Sequence, residues 1–321
     1  MKRLAPLNPN PTFMDDDAPV VTSTPGVTPG YIKAPEPGVY PNVPFETYLK
    51  WDAENHSTLR HIEDGGAFYL AAKLFPNSKE TESKAFGTAE HCLLFEPDLF
   101  ERRLLAPPIN PSTKQPYKDR DGVAFKKFIA ENPGRIIMGD EELDRLHGSI
   151  EAIKAHADAW AILSDDGQRE VALVWDEKTD HGVVRCKARV DFLPKTTVRL
   201  DLKSCEDASE KAWSRAMLKY WYHTADRFYD RGCKALGLRT GRQLFLCVES
   251  TARLVRAGKL AHGAVIYQIE EETSKVARDM VDNWIYKLAR CRAQNEWGGY
   301  PGGVQIVKAP RWFFSQFADD E

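Results

Sequence analysis

Asp191, Asp201 and Lys203 are the residues of this 321-residue chain whose types and spacing bear most directly on chemistry. They lie in VVRCKARVDFLPKTTVRLDLKS, residues 183–204. Val184, Cys186, Ala188 and Val190 alternate there with Arg185, Lys187, Arg189 and Asp191. After a break at Pro194–Thr197, Val198, Leu200 and Leu202 alternate with Arg199, Asp201 and Lys203. Period-two alternation predicts two half-buried strands, and a turn centred near Thr196 sets Asp191 opposite Asp201. Carboxylates facing each other across strands repel. Two arrangements relieve that repulsion. Arg185, Arg189 and Arg199 can neutralise the acids as solvated ion pairs, each contributing little. Alternatively, Mg²⁺ or Mn²⁺ can sit between the hard oxygen ligands. Spacing alone leaves both open.

The Asp-x-Lys triplet is a weak signal by itself. A second one, Asp176-Glu177-Lys178, falls in the polar turn WDEKTDHG, where charge needs no explanation. Asp201-Leu202-Lys203 differs because it ends an apolar strand, beside another strand that also carries an aspartate.

The elements that must position these residues follow from the same patterns. NHSTLRHIEDGGAFYLAAKLF reads as a helix with Asn55 or Ser57 as N-cap. ESKAFGTAEHCLLFEPDLFERRLL is a second helix ended near Pro97, and the polar stretch 106–122 is a long loop. DGVAFKKFIAEN and a segment opening at Asp140 are further helices. REVALVW with the two strands above makes a three-strand meander. Asp207 and Glu210 form a capping box for one long helix to about Tyr229. RQLFLCVES and HGAVIYQIE are two more strands, and residues 271–294 a closing helix. The order predicts an α/β (α+β) fold with one central mixed β-sheet flanked by helices.

Composition bounds the rest. With 42% hydrophobic and 28% charged residues, the chain is ordinary for a globular protein. A net charge of -3 excludes a global basic signature, so any nucleic-acid surface must be local. Apolar runs fall far short of the ~18 residues that span a bilayer, which argues against a membrane. Six cysteines without a C-x-x-C pair predict free thiols in a reducing, cytoplasmic setting, and neither a zinc site nor an iron–sulfur cluster. Residues 1–43 hold roughly half of the 20 prolines and read as a disordered arm, leaving 44–321 as the folded domain.

The Asp-x(9)-Asp-x-Lys arrangement across adjacent strands resembles the PD-(D/E)xK nuclease superfamily. FGTAEHCLLFEPDLF looks like the G-x-x-x-H-x-x-L-x-E-P helix of its RecB-like and RecE-like branch, with Gly87 and His91 on one helical face. REVALVW resembles that branch's E-x-x-x-x-W strand, CKARVDFL its C-x-x-R-x-D strand, and NEWGGY…APRWF its W-x-G-Y…P-x-W tail. The match covers about residues 45–315, and the chain resembles RecE-type exodeoxyribonuclease VIII, typically phage- or prophage-encoded. The resemblance implies a restriction-endonuclease-like core. It makes His91, Asp191, Asp201 and the Leu202 carbonyl ligands of Mg²⁺ or Mn²⁺, and gives Lys203 the task of stabilising charge or positioning water. It also implies double-stranded DNA ends as substrate, 5′-to-3′ digestion that leaves 3′ single strands for recombination, a homo-oligomeric ring, a RecT-like annealing partner and a bacterial host cytoplasm.

Glu170 opens the preceding strand, either within reach of the ligands or as an exposed edge residue. Gly87 would let the His91 helix approach the sheet. Tyr222 and Tyr229 fit the family's Y-x-x-Q-x-x-x-Y helix, but Ala225 stands where the glutamine belongs; His223 or Asp226 could replace it only on a rotated helix. Ser57 is a cap or a contact for a terminal phosphate. Arg227 and Arg231, with Arg239, Arg242, Arg253 and Arg256, are candidates for backbone contacts. Trp297 and Trp312 either stack on bases or bury in a C-terminal cluster. Two alternatives to the exonuclease are an endonuclease on the same fold and a catalytically impaired DNA-binding or assembly protein, which Ala225 would permit.

Overall fold

The computed structural model describes residues 30–309 apart from 77–80, 118, 196–197, 239–240 and 242. Six strands form its central sheet: β1 (Gly38–Tyr40), β2 (Gln168–Thr179), β3 (Gly182–Leu193), β4 (Arg199–Cys205), β5 (Gln243–Glu249) and β6 (Ala264–Gln268). They lie side by side in chain order, β6-β5-β4-β3-β2-β1. The pair β4/β5 is parallel and the other neighbours are antiparallel. Alternation in 168–205 thus yields the expected meander, and Thr179 pairs with Gly182 across a tight turn at Asp180–His181.

The helices are α1 (Glu82–Phe95), α2 (Asp140–Ala155), α3 (Glu210–Lys219), α4 (Tyr222–Ala235) and α5 (Glu271–Gln294), with shorter ones between. Thr81 caps α1 by accepting the Lys84 N–H, and Pro97 opens a following helix, Pro97–Arg103. At the start of α2, Glu142 accepts the N–H of Gly139 at 2.9 Å. The predicted first helix is divided: His56–Leu59, a 3₁₀ turn Arg60–Glu63, and Gly66–Leu74, with Gly65 at φ 136° between them. The crossover that a parallel pair requires is supplied by α3 and α4.

That crossover differs from expectation. It is two helices, because Trp221 adopts a left-handed conformation (φ 63°). Its cap is Ser209, which accepts the Ala212 N–H, while Asp207 accepts the Ser209 N–H at 2.8 Å and pairs with Arg253. The proline-rich arm also differs in part. Ile32–Lys33 pairs with Trp51–Asp52, and β1 is an edge strand of the main sheet, a position that tolerates proline neighbours. Residues 1–29 of that arm lie outside the described residues.

Two apolar clusters meet along β3. Val171, Leu173, Trp175, Val184, Cys186, Ala188 and Val190 pack against Phe228 of α4 and Val281, Trp284 and Leu288 of α5. Phe192, Leu200, Leu202, Leu246 and Val248 pack against Phe95 of α1, Ile150 and Ile153 of α2, and Leu163. Asp191 falls between Val190 and Phe192, at the seam. Among the described residues, no helix is long and apolar enough to cross a membrane.

Candidate active site

Register brings three acids abreast. Phe192 pairs with Leu200, which sets Asp191 opposite Asp201 on β4. Arg169 pairs with Phe192 and Val171 with Val190, which sets Glu170 on β2 opposite Asp191. Neither acidic pair makes a regular ladder bridge. Glu170 instead holds a left-handed backbone (φ 51°) inside a strand, a conformation that costs on the order of 1–3 kcal/mol. Asp191 uses a carboxylate oxygen to accept the Leu202 N–H at 2.9 Å.

Helix α1 delivers His91 to this row. Its Nε2–H donates to the Leu202 carbonyl at 3.0 Å, and its Nδ1 lies 3.6 Å from both Glu170 and Asp191. A ligand atom from each of His91, Glu170 and Asp191 falls within 4.8 Å of the others. Donating one ring N–H to a carbonyl leaves the second nitrogen to present its lone pair in the neutral imidazole, the usual arrangement of a metal-binding histidine. One imidazole nitrogen and two carboxylates are a donor set that could hold a divalent metal ion. Burial opposes charge on His91, yet Asp191 and Glu170 push its pKa up to about 9. Burial, together with Asp201 and Glu170, lifts Asp191 to about 7. Burial works against the charge of Glu170 too, but His91 and Arg189 hold it below the usual carboxylate value.

Asp201 does not join the three-residue group; its carboxylate makes an ion pair with Lys203. The Leu202 carbonyl, expected as a ligand, accepts from His91 and from Lys203 Nζ at 3.4 Å. Burial disfavours the Lys203 ammonium, but Asp201 and Asp191 more than offset this and raise its pKa. The arginines that could have neutralised the acids are engaged elsewhere. Arg185 binds Asp176 and Arg199 binds Asp226 and Asp230, while Arg189 binds Glu170 at 2.6 Å. Ion pairing with these side chains therefore does not explain the Asp191–Asp201 pair.

A cavity of about 630 Å³ opens onto the row, lined among others by His91, Glu170, Asp191, Lys203, Tyr222 and Tyr229. Ser57 sits on its rim and donates to Asn55 at 2.7 Å; Asn55, not Ser57, is the cap. Gly87 lines the cavity too. A Cβ there would meet Ser204 at 3.6 Å, ordinary contact, so close packing does not require the glycine. His223 bonds the Met217 carbonyl and Asp226 bonds Arg199, so neither replaces a glutamine at Ala225. Arg227 and Arg231, expected along a DNA path, are tied up with Asp226 and with Glu177 and Asp282. Arg253 pairs with Asp207, and Arg256 is exposed on the hairpin Leu254–Ala261. Trp297 stacks on Tyr69 at 5.9 Å in the C-terminal cluster. Arg239, Arg242 and Trp312 lie outside the described residues.

Sequence reasoning undervalued Glu170. Its signal was available: the turn at Asp180–His181 is equidistant from Glu170 and Asp191, so the hairpin register pairs them. Reasoning also missed fully buried Glu90, which receives a hydrogen bond from Ser204 and fastens α1 to β4 beside His91. Lys84 and Arg103 also line the cavity wall, and Arg103 pairs with Glu46 at 3.2 Å.

No curated protein matches the chain. Among solved structures, it is similar to a candidate exonuclease from Eubacterium rectale, with 14% identity, TM-score 0.46, and coverage of 83% of this chain and 94% of the other. It is also similar to a phage-related exonuclease from Haemophilus somnus, with 11% identity, TM-score 0.26, and coverage of 64% and 95% respectively. Residues 55–310, most of the chain, match the family described as "PDDEXK-like domain of unknown function (DUF3799)". With six mixed strands, a carboxylate row and the Asp-x-Lys strand at its centre, the chain belongs to that PDDEXK-like family.

Proposed function

We propose that this protein is a Mg²⁺- or Mn²⁺-dependent deoxyribonuclease that digests double-stranded DNA from its ends, 5′ to 3′. The observation that carries the hydrolytic reading is the row Glu170–Asp191–Asp201 with His91 Nδ1 aimed at its first two members. End preference and polarity rest on the resemblance to RecE-type enzymes. So do the ring-shaped oligomer, the annealing partner and a cytoplasmic site of action.

His91, Glu170 and Asp191 would hold the cation, with Asp201 as a further carboxylate beside them. Bound there, the cation supplies charge neutralisation at the scissile phosphate and acidifies the attacking water. The Leu202 carbonyl fixes the imidazole so that Nδ1 faces the acids. Lys203 is protonated at neutral pH as any lysine of ordinary pKa is, and its ion pair with Asp201 favours the charged form. It therefore acts as a fixed positive charge for the developing phosphorane, not as a base. Tyr222 places its ring against that ammonium at 5.0 Å and limits where it can move.

The test compares linear, nicked and covalently closed DNA in Mg²⁺ and in Mn²⁺, using wild type and Asp201→Ala. Loss of linear DNA only, absent from the variant, supports the exonuclease; end-labelled substrates give its polarity. Cutting of closed circles makes it an endonuclease on the same fold. Retention of DNA with no cleavage in either metal identifies a binding protein, the reading that Ala225 permits, and overturns the proposal.

A further inference from the structure

The cavity continues past Lys203 into a second one of about 450 Å³; Ser83, Lys203, Ser204 and Tyr222 line both. Trp213, Tyr220 and Tyr222 line the second cavity and belong to a ladder of rings that Tyr267 continues behind it. Tyr267 stacks on Trp213 at 5.5 Å and 7°, and Trp213 on Tyr222 at 5.4 Å and 15°. Tyr222 meets Tyr220 at 5.7 Å. The inner rungs are covered, Trp213 being only 7% exposed, whereas Tyr220 at the outer end is 48% exposed. Each of the two outer rings carries an ammonium: Lys203 lies 5.0 Å from Tyr222 and Lys219 lies 5.1 Å from Tyr220. Glu206 and Asp207 also line the groove, and Arg253 neutralises Asp207 at 3.1 Å.

The ladder exists because of the break at Trp221. Residues two apart in a continuous helix point about 200° away from each other. The left-handed turn at Trp221 brings Tyr220 and Tyr222 to one side instead. A bulky residue at positive φ is a true outlier, and such strain gathers at functional positions. Trp221 is held there by its ring against Trp284 at 5.5 Å and His223 at 5.9 Å.

We infer that this groove is a subsite for a single nucleic-acid strand leading to the scissile phosphate, with a base stacked on Tyr220 and the strand's backbone following Lys203 and Lys219. An exposed ring on a rigid stack, with cations beside it, is the arrangement that takes up unpaired bases without reading their sequence. The inference rests on the nuclease reading above and deepens it, since a strand separated from its duplex has somewhere to go.

The test uses the full chain in EDTA, so that nothing is cut. A labelled single-stranded oligonucleotide reports affinity by anisotropy, and a fluorescent purine analogue within it reports stacking by quenching. Tyr220→Ala is expected to weaken binding about 10-fold or more and to remove the quenching, whereas Tyr220→Phe retains both. Affinity and quenching unchanged in Tyr220→Ala overturn the subsite. Separately, wild type is given bis(p-nitrophenyl) phosphate, a diester without a strand, in Mn²⁺. Hydrolysis of the ester without single-strand binding overturns the subsite alone. Failure to hydrolyse either the ester or DNA overturns the nuclease reading and the subsite with it.

Discussion

The Asp191 carboxylate accepts the backbone N–H of Leu202 at 2.9 Å, across the place where β3 and β4 cease to pair. A side chain thus does the work of a ladder carbonyl, and the same carboxylate faces His91. Its structural and chemical duties can be separated by substitution.

Asp191→Asn keeps an oxygen for the Leu202 N–H and removes one negative charge from a crowded row. Its melting temperature without metal is expected to equal or exceed that of wild type, while DNA cleavage falls by roughly 100-fold or more. Asp191→Ala leaves the N–H unpaired and should lose about 1–3 kcal/mol of stability as well. Thermal melts and cleavage assays on the two variants check both halves.

If the Lys203 ammonium acts on the reacting phosphate and not on the cation, Lys203→Met should reduce kcat by roughly 100-fold while leaving Mn²⁺ affinity within a few-fold of wild type. A metal titration followed by single-turnover cleavage measures the two quantities separately. A large loss of metal affinity would instead place Lys203 in the support of the ligands.

His91 and Asp191 both have folded pKa values raised above their ordinary ones, to about 9 and about 7. The proton each binds more tightly when folded stabilises the metal-free protein. For His91 that stability is fully present below its ordinary value near 6.5 and is lost as pH rises through about 9. For Asp191 it is fully present below its ordinary value near 3.8 and is lost as pH rises through about 7. A cation must displace both protons. The EDTA-treated protein should therefore melt at falling temperature between about pH 5 and pH 9, and Mn²⁺ affinity should climb over the same range. A slope above about pH 7 that is present in wild type and lost in His91→Gln, with the slope below about pH 7 retained, would identify His91 as the source of the upper limb and Asp191 of the lower.

Arg199, 1% exposed, ties β4 to α4 through Asp226 at 2.7 Å and Asp230 at 3.4 Å. Arg199→Ala removes the buried cation shared by two acids that keep Arg227 and Lys234, and is expected to cost about 1–3 kcal/mol in urea unfolding. The double variant Arg199→Met/Asp226→Leu should recover a large part of that loss, because it removes charges from both sides of the contact.

The meander was legible because its alternation is regular and one face is buried, and the register expected between its second and third strands holds: Phe192 pairs with Leu200. Glu170 was legible in principle from the first turn. What could not be read was how distant segments use the meander. The Leu202 carbonyl looks free in the sequence and is claimed by His91 only after α1 has packed. Arg227 and Arg231 look like a basic stripe until Asp226, Glu177 and Asp282 arrive beside them. The break at Trp221 has no local signal, since tryptophan favours neither glycine's conformation nor a helix end; ring contacts with Trp284 and His223 impose it. β1 was hidden because three residues beside prolines carry too little pattern to register as an edge strand.

The row of acids also bears on how the chain reaches its fold. Neighbouring strands of a meander are an inviting place for folding to start, because little loop must be closed. Here the central strands bring three acids together; Arg189 answers Glu170 and Lys203 answers Asp201 from within the meander, while Asp191 waits for His91. His91 belongs to a helix separated by 111 residues from the carbonyl it must reach. Early pairing at this end of β2, β3 and β4 is therefore uphill, and the zipper should begin at the Asp180–His181 turn and stall short of Glu170. Only when α1 docks does the last stretch close, so the site is assembled late and by the whole chain at once.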